Sequence, residues 1–298
     1  LVGSEMCIRD SQNSLEIGEL ADDAYPSTFS SQKGINIVGH LKGELGLGQS
    51  ARLILESARE TKFPVTPINS NRVLSRQEES FTQGDSQNFY PLTIAVINAD
   101  HFKVWMGDYG SHRASKSVVI GVWAWEIEDF PEYMHKSFEY VDEIWAVSSF
   151  AKKSFEAHTK KPIFVLPTPI LKPEGIEKLD RKALNLDEDS RYNLFIFDYL
   201  SVFNRKNPMG LAKAHIDAFP NQDGPLLVIK SSNGDKDAEN REKLRFFVKD
   251  RKDILLIEDY LSRAQLTALI NECETYISLH RSEGYGLTLA EAMSLGKP

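Results

Sequence analysis

The sequence predicts an α/β protein built from two doubly wound parallel-sheet domains. From Gly34 onward, short runs rich in β-branched residues alternate with segments of helical periodicity, the pattern of successive βα units. That series occurs twice, interrupted at 171–191 by a charged stretch containing Pro173 and Gly175 that reads as a linker. With 298 residues, each domain can bury a core of ordinary size. The expected division is residues 1–33 outside the fold, 34–170 as a first domain, 171–191 as the linker and 192–298 as a second domain.

Residues 1–33 are polar and lack sustained periodicity, so they are expected to be disordered or artefactual, and residues 1–11 resemble translated sequencing-adaptor sequence. Strands of the first domain are expected at 35–38, 65–68, 93–97, 118–122, 143–147 and 163–166, the last closed by Pro167 and Pro169. After the first strand, Gly43-Glu44-Leu45-Gly46-Leu47-Gly48 leads into a helix whose Ala51, Ile54, Leu55 and Ala58 share one face. In the second domain, strands are expected at 194–197, 226–229, 254–257 and 275–279, with helices at 207–219 and 262–273. Gly296-Lys297-Pro298 follows a helix where such a series would supply another strand, so the second domain is expected to be incomplete and to expose a sheet edge.

A net charge of -8 argues against a broad nucleic-acid surface, because the overall field opposes phosphate binding unless cations cluster locally. Two cysteines, Cys7 and Cys273, are too few for a disulfide framework, which fits a reducing, cytoplasmic setting. No apolar run approaches the ~18 residues of a membrane span, and peripheral membrane contact stays open.

Three motifs can carry chemistry. The loop holding Gly46 and Gly48 brings backbone close to a ligand ahead of a helix N-terminus suited to anions; a tight turn explains it equally well. Its spacing is not the dinucleotide fingerprint, and Asn69 and Asn71 stand where a nicotinamide enzyme places a ribose-binding carboxylate. In the second domain, Arg205 and Lys206 lie between strand and helix, with Lys230 ending the next strand. Three cations at one sheet edge can neutralise a diphosphate leaving group, although an isolated Arg-Lys pair more often is a solvated face. The third motif, 280–291, sets Glu283 and Glu291 eight positions apart around a glycine loop whose Gly284, Tyr285, Gly286 and Leu287 backbone N–H groups can hold phosphate or sugar oxygens. Thr288 and Glu291 also have capping-box spacing, so Glu291 can serve only its own helix.

That third segment resembles the E-x7-E motif of retaining glycosyltransferases of family 4, and the likeness extends over most of 34–298. The resemblance implies a GT-B fold, two domains facing across a cleft, and transfer of a sugar with retention from a nucleotide-diphosphate-sugar donor to a carbohydrate or lipid-linked acceptor, as in polysaccharide biosynthesis. It places Glu283 on the donor sugar's hydroxyls, Glu291 on the nucleotide ribose, Arg205 and Lys206 on the diphosphate, and Gly46 and Gly48 in the family's N-terminal loop. No metal is expected. Ser201 stands where relatives often carry an arginine, which shifts part of the phosphate clamp to Lys230. The histidine that many relatives place on the donor sugar is missing from Trp123-Ala124-Trp125-Glu126-Ile127-Glu128-Asp129. There, Trp123 and Trp125 form either a sugar-stacking wall or ordinary core, Glu126 is a candidate to polarise the acceptor hydroxyl, and Glu128 and Asp129 fit the first turn of a helix. Asn98, Asp100 and His101 are expected to end a strand at the same edge. Competing readings are a nucleotide-sugar epimerase of the same fold, a non-catalytic sugar- or nucleotide-binding module, and an oxidoreductase.

Overall fold

The computed structural model describes residues 25–83, 88–173 and 175–298. The chain divides into two compact units, Leu1–Pro169 with Glu283–Tyr285, and Ile170–Ser282 with Gly286–Pro298.

In the first unit the described strands are β1 (Thr28–Phe29), β2 (Ile35–Gly39), β3 (Val65–Asn69), β4 (Asn88–Phe89), β5 (Leu92–Val96), β6 (Val118–Trp123), β7 (Glu143–Ala146) and β8 (Ile163–Val165). Its helices are α1 (Gly46–Arg59), α2 (Ala99–Tyr109), α3 (Ser111–Ala114) and α4 (Ser149–Glu156). Six strands form a wholly parallel sheet in the order β3-β2-β5-β6-β7-β8. Its inner strands are apolar on both faces, as a sheet covered on two sides requires. Alternation along the strands sends Ile37, Ile94, Val96, Ile120 and Val122 toward a core shared with Leu41, Ile54 and Leu55. Val38, Ala95, Val119 and Trp123 turn to the opposite core, which holds Phe102, Trp105, Tyr109 and Phe155. Helix α1 therefore covers one face, while α2 and α4 cover the other.

Part of the segment excluded as 1–33 is integral to this unit. Tyr25 is buried, its hydroxyl accepts a 3.0 Å hydrogen bond from Trp105 Nε1, and Phe29 packs edge-on against Phe89, 5.1 Å between centroids. Strand β1 pairs with β4 in parallel. Two aromatic rings supply enough buried area to anchor a segment whose composition is otherwise polar. The expectation for residues 1–11 lies outside the described residues.

The second unit contains β9 (Tyr192–Asp198), β10 (Leu226–Ser232), β11 (Ile254–Ile257) and β12 (Thr275–Tyr276), with α5 (Phe203–Lys206), α6 (Pro208–Ala218), α7 (Ala238–Val248), α8 (Arg263–Glu272) and α9 (Leu287–Ser294). These strands form a parallel sheet ordered β11-β10-β9-β12. Strand β12 is shorter than the expected 275–279, although Ile277 N still donates to Leu194 O at 2.8 Å.

The expected linker is also more structured than its composition suggests. Leu179, Leu184 and Leu186 are buried beside Tyr192 and Leu269. Arg181 bonds to Glu272 at 2.9 Å and to the carbonyls of Asp187 and Ser190 at 3.0 and 2.9 Å. Three leucines scattered among charges were enough to dock the segment on the second unit's core. Leu179→Ala should accordingly destabilise that unit by about 2–4 kcal/mol, measured by urea denaturation; a cost below ~0.5 kcal/mol would assign the segment to solvent.

Candidate functional site

Ligands of open parallel sheets bind beyond the carboxyl ends of the strands, where the strand order reverses. In the second unit the chain builds outward from β9 to β10 and β11, then returns to set β12 on the other side of β9. The reversal lies between β9 and β12. Arg205 and Lys206 close α5, in the connection that leaves β9, and residues 277–282 leave β12. Arg205 joins the two: its Nη1 donates to Ser282 O at 3.1 Å, and Arg281 N donates to Arg205 O at 2.9 Å. Asn207 adds a bond from Nδ2 to Leu279 O at 3.0 Å. Asn207 also ends α5 in the left-handed conformation (φ 54°, ψ 42°) that asparagine tolerates, and Pro208 then starts α6 at its first position.

Lys230 is buried at 3% exposure and donates from Nζ to Ser231 O at 2.5 Å. Asp198, the last residue of β9, is the group around which this edge is organised and was not singled out from sequence. Its carboxylate accepts from Leu200 N at 2.9 Å and from Asn233 Nδ2 at 2.9 Å, while Tyr260 donates to Asn233 Oδ1 at 2.7 Å. Burial pushes the Asp198 carboxyl above the usual range, against the pull of Asn233, the Leu200 N–H and the positive charges of Lys206 and Lys230.

Glu291 is buried and held bidentately by Arg263, the first residue of α8, at 3.2 and 2.5 Å. It does not form the capping box its spacing allowed. Thr288 is bonded to the Tyr276 hydroxyl at 2.7 Å, and the N-cap of α9 is Gly286, whose φ of 80° and ψ of 57° exclude most side chains. Leu287 opens the helix. Glu283, Gly284 and Tyr285 group with the first unit. Tyr285 donates to Thr168 O at 2.8 Å, and a Cβ on residue 284 would lie 2.7 Å from Trp125 O.

In the first unit the order reverses between β2 and β5. The two candidate glycines behave differently there. A Cβ at Gly48 would lie 2.5 Å from Gly43 O and 2.6 Å from His40 O, so glycine lets α1 close onto the loop before it. At Gly46, the exposed first residue of α1, a side chain would meet nothing within 4 Å. Glu126 is half-buried on the connection after β6. Trp123 and Trp125 are buried, at 0% and 5% exposure, among Phe102, Phe130, Phe138 and Phe155, so they are core rather than a sugar-stacking wall. Glu128 and Asp129 lie in a loop ahead of the 3-10 segment Glu132–Tyr140, not in a helical first turn. Asn98, Asp100 and His101 begin α2 instead of ending a strand; Asn98 Oδ1 accepts from Ala124 N at 2.9 Å and ties β5 to β6.

His40, at the end of β2, was not singled out by the sequence either. It is buried, with Nδ1 3.0 Å from Ser70 O, and shares a small pocket with Ser70, Arg72, His101 and Trp105. Burial lowers its pKa to about 4, partly countered by the Ser70 carbonyl and reinforced by His101.

No protein-family model matches the chain, and no curated protein matches it. Among solved structures, the chain is similar to Anabaena Alr3699/HepE in complex with UDP and glucose, with 12% identity, a TM-score of 0.62, and coverage of 90% of this chain and 80% of that one. It is also similar to the apo form of the lipopolysaccharide outer core galactosyltransferase WaaB (15% identity, TM-score 0.53, 90% and 79% covered). A third likeness is to S. aureus TarM in complex with fondaparinux, alpha-GlcNAc-glycerol and UDP (11%, 0.50, 70% and 40%), of whose length the chain therefore spans 40%. At these identities the likeness is one of fold: an α/β chain with the parallel sheets of GT-B glycosyltransferases.

The lowered pKa of His40 has a sign. Folded His40 stays neutral below the pH at which the unfolded chain takes up its proton, so the contribution is complete above about pH 6.5 and is lost as pH falls toward 4. The loss should amount to about 3 kcal/mol. Urea denaturation across that window should show it in the wild type and a shallower slope in His40→Asn; identical slopes would refute it.

Proposed function

We propose that the chain carries the donor site of a glycosyltransferase that moves a sugar, with retention of configuration, from a nucleotide-diphosphate-sugar to an acceptor hydroxyl on a glycan or lipid-linked glycan. The observation that carries this reading is the bridge from Arg205 to the 281–282 backbone at the strand-order reversal, with Lys206 and Lys230 set about Asp198 beside it. A diphosphate is the ligand such a collection fits. A guanidinium suits a diphosphate by its fork of N–H donors, and the ammonium groups neutralise the charge that develops when the glycosidic bond to phosphate breaks. In this reading Arg205 and Lys206 stabilise the leaving diphosphate, and Lys230 supports them from below. The 284–287 backbone and the start of α9 receive phosphate or sugar oxygens.

The two carboxylates have different tasks. Glu291, fixed by Arg263, accepts from the ribose hydroxyls. Glu283 takes the donor sugar's hydroxyls, and Glu126 polarises the acceptor. Support also comes from the company the fold keeps: HepE was solved with UDP and glucose, TarM with UDP and a GlcNAc-glycerol, and WaaB is a galactosyltransferase.

Replacing both Arg205 and Lys206 by alanine should weaken nucleotide-sugar binding at least ~10-fold, followed by calorimetric titration with UDP-, GDP- and ADP-sugars. Undiminished affinity in the double variant would sink the diphosphate assignment. Glu283→Ala should lower kcat at least ~10-fold with a smaller change in KM, and an unchanged kcat would remove Glu283 from the reaction.

A further inference from the structure

We propose that His40 Nε2 and the Ser70 hydroxyl form a subsite for one hydroxyl group of a neutral carbohydrate acceptor. The inference deepens the glycosyltransferase reading, on which it rests for the acceptor's being a carbohydrate, and it lies wholly within the first unit. His40, Ser70 and Ile97 are the residues that immediately follow β2, β3 and β5, three neighbouring strands, and all three line one small pocket. The pocket is therefore at the carboxyl edge of the sheet where the strand order reverses, the place at which an open parallel sheet binds ligands. Arg72 and His101, the latter on the first turn of α2, complete its polar wall. Arg72 Nη2 donates to Asp108 Oδ1 at 2.6 Å.

Local hydrogen bonding decides what the pocket can hold. Ser70 N donates to Gly39 O at 2.8 Å, and Ser70 O accepts from His40 Nδ1 at 3.0 Å. A carbonyl only accepts, so the neutral His40 ring carries its hydrogen on Nδ1 and leaves Nε2 as an acceptor. Burial, which holds the His40 pKa down at about 4, keeps the ring in that neutral form. The Ser70 hydroxyl is the odd group: the residue is 1% exposed, and Oγ is buried with no partner among the described residues. Alanine would keep both backbone bonds of Ser70 without burying an unsatisfied hydroxyl, so the fold supplies no reason for a serine there. A ligand supplies one. An entering hydroxyl donates to His40 Nε2 and accepts from Ser70 Oγ, whereas a carboxylate brings no hydrogen for Nε2. No carboxylate lines the pocket, so a cation finds no counter-charge in it. Its size admits one water-sized group, which fits a single hydroxyl with the rest of the sugar outside. The donor is assigned to the second unit, and the hydroxyl seated on the first is accordingly the acceptor's.

The test follows the His40 ring nitrogens by NMR in the full chain carrying isotope-labelled histidine, with the resonances assigned by their loss in His40→Asn. The chain is titrated with methyl α-D-glucoside, methyl α-D-galactoside and N-acetylglucosamine, and separately with UDP-glucose. In the wild type Nδ1 should be protonated and Nε2 bare, and at least one of the free sugars should move the Nε2 resonance saturably. Ser70→Ala should keep or raise the melting midpoint while weakening that binding at least ~10-fold, a combination that a merely structural serine would not give. The sugar response should persist when Arg205 and Lys206 are both replaced by alanine, so that failure of the diphosphate assignment and failure of this subsite are read separately. A Nε2 resonance that no sugar moves, the result of a pocket holding only water, overturns the proposal. So does a response to UDP-glucose without any to the free sugars, which would make the hydroxyl the donor's, or wild-type sugar binding in Ser70→Ala.

Discussion

Arg205 ties together two connections that are distant in sequence, and the chemistry available to the second unit depends on that tie. A parallel sheet leaves a crevice where its order reverses, but the crevice holds nothing until the loops on either side are fixed. The side chain of Arg205 reaches Ser282 while its carbonyl receives the Arg281 N–H, so side chain and backbone both clamp the loop after β12 to the loop after β9. Asn207 adds a third bond to Leu279, and its left-handed backbone ends α5 so that α6 can begin at once.

Charges kept inside a protein carry a cost. Lys230, Asp198 and Glu291 each occupy positions where an apolar side chain of similar volume would stabilise the unit at least as well. Asp198 meets that cost with hydrogen bonds from Leu200 and Asn233, the second of which is itself oriented by Tyr260. Glu291 meets it with a bidentate guanidinium. Asp198 and the opposite charges of Lys206 and Lys230 lie at the carboxyl edge of the sheet. The buried His215, Asp253 and Arg251 cluster sits at the opposite end of β11, ahead of its first residue, and serves packing there.

The strands were legible in the sequence because β-branched runs buried on both faces admit few other readings, and the alternation of Ile37 with Val38, or Ile94 with Ala95, then divides the two cores. What escaped was apolar content diluted by charge. Helix α2 places Phe102, Trp105 and Tyr109 at helical spacing, but Asp100, His101, Lys103 and Gly107 between them hide the period. Leu179, Leu184 and Leu186 disappear into a run of lysines and carboxylates in the same way. The site follows a similar rule. Adjacent cations such as Arg205 and Lys206 can be seen in one dimension, whereas Asp198, Arg263 and His40 acquire meaning only when the sheet brings their partners to them.

Spacing alone treats Glu283 and Glu291 as one motif, and their surroundings separate them. Glu291 is buried, with both oxygens addressed by Arg263, so its carboxylate is held in a fixed direction. That constraint comes from α8: its first residue supplies the guanidinium, and the reciprocal bonds of Ser262 and Gln265 fix where the helix begins. Capping of one helix thereby sets the orientation of a carboxylate on another. A motif written as two glutamates eight residues apart is in physical terms a two-helix arrangement at its second glutamate, in which Gly286 sets the start of α9, Ser262 the start of α8, and the Arg263–Glu291 pair the distance between them.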